Sequence, residues 1–190
     1  MASLNPGLES AFKKTEALLK GIKVRHLYIG GLAVLATGEP RMTQDVDLIL
    51  FVPKSNMEPL FDAAHRHGFT VNRRQGIQDA ANQGACTIAY GGVRVDFIFA
   101  STDLEESAWR RRVRKTLFKL VVHVPSPEDL ILLKLVPGRP RDLEDIRGIA
   151  ASAGNRLDRT YLKSWAQRLC DRAEDMRFMR HLRETGVLKT

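Results

Sequence analysis

Residues 43–52 read Thr43-Gln44-Asp45-Val46-Asp47-Leu48-Ile49-Leu50-Phe51-Val52. From position 45 onward the stretch is β-branched and apolar, the composition of a strand. Strand pleating sends alternate side chains to opposite faces, so Asp45 and Asp47 share one face and Val46 points to the other. Asp is depleted in strands and like charges on one face repel, so the pair asks for a reason such as a divalent cation. A strand edge carrying two solvated acids would show the same D-x-D, which therefore decides nothing alone. Upstream, residues 26–29 form a short strand that runs through Gly30-Gly31 into a helix over 31–37. Glycines at that turn let a polyphosphate approach the backbone, and the helix start presents free N–H groups. A tight strand-to-helix turn needs the same glycines.

A third acid sits in Val93-Arg94-Val95-Asp96-Phe97-Ile98-Phe99. Val93, Val95, Phe97 and Phe99 fall on one face of that strand, and Arg94, Asp96 and Ile98 on the other. An ion pair between Arg94 and Asp96 would also account for the acid. Gly91-Gly92 separates this strand from one over residues 87–90, the two-residue link of a hairpin. Three carboxylates on adjacent strands can hold two Mg²⁺ ions roughly 3.5–4 Å apart, the arrangement that serves phosphoryl and nucleotidyl transfer.

Working outward, the pattern predicts helices over residues 8–20 and 56–67 and a short strand at 69–72, while 75–83 fits no single element. Residues 115–124 read as one strand. Helices follow over 126–136, 141–151, 161–172 and 176–185. The expected fold is α/β, a small mixed β-sheet flanked by helices over residues 1–124, followed by a helical C-terminal part over 125–190.

The chain has 190 residues, 44% hydrophobic and 27% charged, which fits one globular domain or one domain with a helical appendage. Thirty Lys and Arg against 22 Asp and Glu give +8, a bias toward an anionic partner such as nucleic acid or nucleotide. Cys86 and Cys170 lie far apart without a C-x-x-C motif, which excludes a disulfide scaffold or zinc module and suits a reducing cytoplasm. The N-terminal sequence lacks a signal-peptide core, and the longest apolar runs are strand-length, so no membrane partner is expected. The five histidines show no ligand spacing.

In the helix over 126–136, Ser126 with Asp129 resembles a capping box and Pro127 takes the first helical position. From Leu130 to Val136 every residue but Lys134 is apolar. A buried ammonium must be paired or reach a cleft. Asp142 and Asp145, at i and i+3 on the next helix, are the available partners; a phosphate is the alternative. Arg110, Arg111, Arg112 and Arg114 with Lys115 form a basic run that can follow an RNA backbone or simply be a solvated face.

Taken jointly, Tyr28-Ile29-Gly30-Gly31, Thr43-Gln44-Asp45-Val46-Asp47-Leu48 and Val95-Asp96-Phe97 resemble the DNA polymerase β-like nucleotidyltransferase superfamily. Ser126-Pro127-Glu128-Asp129-Leu130 through Lys134, then Arg139-Pro140-Arg141-Asp142-Leu143-Glu144-Asp145-Ile146, is similar to its minimal bacterial and archaeal members, including the toxins of type IV toxin-antitoxin systems. The resemblance covers roughly residues 26–150. It implies transfer of a nucleoside monophosphate from an NTP to an acceptor hydroxyl, most readily RNA such as a tRNA end. It places two Mg²⁺ ions on Asp45, Asp47 and Asp96, and the nucleotide on Gly30, Gly31, Arg41, Thr43 and Lys134. Asp142 and Asp145 have a supporting role, and a cognate antitoxin is an implied partner. A partner protein or an aminoglycoside is the other acceptor class, and a non-catalytic binding module of the same fold is the other function. Many members carry Ser where this chain has Gly31, so the hydroxyl contact is expected to be missing, with backbone N–H groups in its place.

Overall fold

The computed structural model describes residues 6–53 and 57–188. Helix α1 (Pro6–Gly21) leads into strand β1 (His26–Tyr28), helix α2 (Gly30–Ala36), strand β2 (Val46–Leu50), helix α3 (Glu58–Arg66) and helix α4 (Arg73–Gln83). A hairpin of β3 (Ala85–Tyr90) and β4 (Val93–Phe99) follows, then α5 (Asp103–Arg110) and a second hairpin, β5 (Val113–Leu117) with β6 (Leu120–Val124). The remainder is helical: α6 (Pro127–Leu135), α7 (Pro140–Ala153), α8 (Arg159–Ala173) and α9 (Arg177–Glu184).

The main sheet has the order β1-β2-β4-β3, with β2 and β4 parallel and both outer pairs antiparallel. Because side chains alternate along each strand, the sheet has two different faces. Val46, Leu48, Leu50, Val95, Phe97 and Phe99 are buried in the main core with Leu8, Phe12 and Phe61 from α1 and α3. On the reverse face Ile49 and Ile98 are covered by Ala108 and Trp109 of α5 and Leu133 of α6. Asp47 and Asp96 lie on this same face and are only partly buried.

The α/β architecture with its helical C-terminal part agrees with the reading of the sequence, and two local expectations are corrected. Residues 115–124 are a hairpin, not one strand; Phe118 and Lys119 turn the chain at φ 47° and 67° without the Gly or Asn that usually marks such a turn. Packing of the Phe118 ring on Phe12 at 5.1 Å holds that turn. The strand expected at 69–72 reduces to a single bridge, Thr70 with Ala89. The ambiguous stretch is α4, capped by the Asn72 side chain at its start and by left-handed Gly84 at its end. Helix α5 has its own signal, a capping box of Thr102 and Glu105. The helix start expected near Asn56 lies outside the described residues. Among the described residues no helix is long and apolar enough to cross a membrane.

Candidate active site

Parallel pairing of β2 with β4 sets Asp47 directly beside Asp96, and Asp45 precedes β2 by one residue. The turn before α2 reaches the same place. Gly30 has φ +59°, and a Cβ there would lie 2.0 Å from Asp47 Oδ2, so any side chain would displace the carboxylate. The Ile29 N–H donates to the Asp47 carbonyl at 2.9 Å, tying the turn to β2. The α2 N-terminus has no side-chain cap.

Gly31 is filled from outside. A Cβ at this position would meet Thr43 Cβ at 2.6 Å and Thr43 Oγ1 at 2.7 Å. Thr43 thus brings a hydroxyl to the space a residue 31 side chain would take. Its Oγ1 donates weakly, at 3.3 Å, to the Asp45 carbonyl.

The acids are electrostatically coupled. Burial raises the Asp47 carboxyl above its ordinary value, and Asp96 and Asp45 push it further up, while Lys134 and Arg94 pull it down. Among the described residues, no three acidic, histidine or cysteine side chains converge into a preformed metal cage. Asp96 is turned toward its own strand face. It accepts from Thr87 Oγ1 at 2.5 Å and from Arg94 Nη2 at 3.1 Å on Oδ1 and 3.0 Å on Oδ2. The donor set is nevertheless all carboxylate oxygen, with a half-buried Asp47 facing two like charges, which is the chemistry of a hard divalent cation.

Lys134 lies in α6, whose N-terminus is capped by Ser126 as the sequence predicts. Its ammonium, on a residue 9% exposed, is 3.1 Å from Asp142 Oδ1 and 2.7 Å from Asp145 Oδ2; only the first contact has hydrogen-bond alignment. The structural pairing weighed against the phosphate role is thus present, and with both acids at once. Asp145 Oδ1 also accepts from Arg41 Nε at 2.7 Å, and Asp142 Oδ2 accepts from the Arg139 N–H at 3.2 Å. Arg41 also lines a cleft of about 290 Å³ with Glu39, Arg141, Glu144 and Asp145.

The basic run at 110–115 does not form one patch. Arg111 turns inward to Glu128 at 3.0 Å and to fully buried Asp129 at 3.1 Å, over the Tyr161 ring. Arg112 stacks on Trp109, Arg110 lines a cleft between α5 and α8, and Arg114 and Lys115 stay exposed on β5. Sequence reasoning left Thr87 out of the site. Its place was legible, since a two-residue link at Gly91-Gly92 that pairs Tyr90 with Val93 also pairs Thr87 with Asp96.

A family model matches residues 7–184. The chain belongs to the family described as "Nucleotidyltransferase of unknown function (DUF6036)". The DUF6036 nucleotidyltransferase shares its fold with several solved structures. ANT(2″)-Ia in complex with adenylyl-2″-tobramycin superposes with a TM-score of 0.56 at 16% identity, over 83% of this chain and 96% of that one. The lincosamide antibiotic adenylyltransferase LnuA, lincomycin-bound, gives 0.56 at 12%, over 78% and 99%. JHP933 from Helicobacter pylori gives 0.51 at 15%, over 90% and 76%. At these identities the likeness concerns the fold. No curated protein matches the DUF6036 chain in sequence.

Proposed function

We propose that this nucleotidyltransferase moves a nucleoside monophosphate from an NTP to an acceptor hydroxyl with two Mg²⁺ ions, and that the acceptor is RNA. The observation that carries the reaction is the β2–β4 register, which sets Asp47 beside Asp96 with Gly30 packed against the Asp47 carboxylate. Asp45, Asp47 and Asp96 would hold the metal, whose chemistry is to neutralise phosphate charge and acidify the acceptor hydroxyl.

The backbone at Gly30-Gly31 and the Thr43 hydroxyl face the triphosphate. An ammonium has three N–H donors. With one of Lys134's donated to Asp142 and Asp145 met as a charge contact, the ammonium keeps donor capacity for a phosphate oxygen. Arg41, held by Asp145, adds positive charge nearby. Asp96 receives the acceptor proton as the acceptor oxygen bonds to the α-phosphorus; the bond from that phosphorus to the bridging oxygen breaks and pyrophosphate leaves. The helical part beyond residue 124 closes over the nucleotide. The charge of +8, with Arg110, Arg112, Arg114 and Lys115 at or near the surface, supports RNA as acceptor.

A second reading is favoured by Glu39 and Glu144 in the cleft beside Arg41, carboxylates that suit a small cationic acceptor. The presence of adenylyl-2″-tobramycin in the ANT(2″)-Ia complex supports this reading. Incubation with α-labelled NTPs, Mg²⁺ and either total RNA or an aminoglycoside panel separates the two. Label in RNA is expected; label only in the small molecule moves the acceptor to the second reading; no transfer to any acceptor, protein included, refutes the proposal.

A further inference from the structure

We propose that Arg94 is the resident counter-cation of the acid site, gripping Asp96 until a divalent cation takes that carboxylate over. The inference rests on the metal-dependent reading above. Three observations carry it. Arg94 and Asp96 lie two residues apart on the same face of β4, and one guanidinium nitrogen stands 3.0–3.1 Å from both carboxylate oxygens. Among the described residues Asp96 is the one acid of the three with an ion-pair partner, so Asp45 and Asp47 stand ready for a cation while Asp96 does not. The Arg94 side chain is 61% exposed, so a released guanidinium passes into water at little cost, whereas Thr87 can keep its hydrogen bond to Oδ1 and hold Asp96 in orientation. The pair thus neutralises one of three crowded acids in the metal-free protein and makes the last carboxylate available only by exchange. Arg94 acts on the metal through Asp96 and is a positioning residue.

The test is Mn²⁺ binding to the nucleotide-free protein, followed by electron paramagnetic resonance at fixed ionic strength. Wild type is compared with Arg94→Gln, Asp96→Asn and the double variant, each checked by thermal melting. Arg94→Gln is expected to bind Mn²⁺ about two- to fivefold more tightly, the worth of a partly exposed ion pair. In the Asp96→Asn background the same change is expected to do almost nothing. Equal tightening in both backgrounds would mean that Arg94 acts through its general field, and no tightening at all that it does not hold the carboxylate; either overturns the proposal. If wild type binds Mn²⁺, Asp47→Asn loses it and Arg94→Gln changes nothing, the metal reading stands and the role of Arg94 alone falls. If wild type takes up no Mn²⁺, alone or with a non-hydrolysable NTP analogue, both fall together.

Discussion

Replacing Lys134 by Met keeps the apolar stem among the α6 neighbours and removes only the ammonium. Two nearly buried carboxylates then lose a partner, with side-chain exposures of 12% for Asp142 and 5% for Asp145. Removing one member of a buried ion pair costs roughly 3–5 kcal/mol. Here the low end applies, because Asp145 keeps Arg41 at 2.7 Å and Asp142 keeps the Arg139 N–H at 3.2 Å. A loss of about 3 kcal/mol in a chain of this size lowers the melting temperature by about 6–12 °C. Adding Asp142→Asn to Lys134→Met should recover part of that loss, since the carboxylate left without a cation is gone. If the ammonium also serves the triphosphate, losing one charge-assisted hydrogen bond weakens NTP binding about 10- to 100-fold. Differential scanning calorimetry of the apo variants and NTP titration by calorimetry in Mg²⁺ read the two effects separately. A melting temperature within about 2 °C of wild type would refute the ion-pair argument, which needs several times that change. A large thermal loss with NTP affinity intact would refute the phosphate role and leave Lys134 as the tie between α6 and α7.

Asp45→Asn and Asp47→Asn should each abolish nucleotidyl transfer yet melt at or slightly above the wild-type temperature, because one of the mutually repelling charges is gone; a variant with wild-type turnover would remove that acid from the site. Gly30→Ala forces a Cβ onto Asp47 Oδ2 at a left-handed φ, so transfer should fall far more than the about 1–2 kcal/mol of backbone strain would suggest; a turnover close to wild type would show that the glycine is only a turn. Burial would raise the Glu16 carboxyl, but His26, Lys20 and Tyr28 overcome it and hold it at about 2 against an ordinary 4.5. This acid contributes stability of about 3 kcal/mol that is complete above pH 4.5 and fades as pH falls toward 2, so Glu16→Gln should flatten the stability curve measured by urea unfolding across that window. An unchanged slope in Glu16→Gln would assign the acid sensitivity elsewhere.

What was legible in the sequence follows from period and chemistry. An acid inside an apolar strand marks a face, as Asp47 does in β2, although Asp45 precedes that strand; glycines where a strand meets a helix mark a close approach, which Gly30 makes with Asp47. The α6 cap was legible because Ser126, Pro127 and Asp129 are local in sequence. The misses are contacts that tertiary packing creates. Nothing in Phe118-Lys119 announces a hairpin turn, since its left-handed backbone is held by the distant Phe12 ring. The run of arginines looks uniform in sequence. Its members part company because a helix ends at Arg110 and a strand begins at Val113, sending Arg111 toward Asp129 and Arg112 onto Trp109. Likewise Lys134 had two acids and a phosphate as possible partners, and the packing of α6 on α7 decides which acids it meets.

The pairing of β2 with β4 also bears on how this protein can vary. A shift of one residue between the strands would turn Asp96 away from Asp47, but it would equally expose Val95 and Phe97, both fully buried, in place of polar side chains. The alignment of the charged groups is therefore guarded by the greasy reverse side of the same strands. Drift in the acids' surroundings is tolerable as long as that reverse side stays filled, whereas a small-for-large exchange at Phe97 would loosen the spacing of the carboxylates without touching one of them.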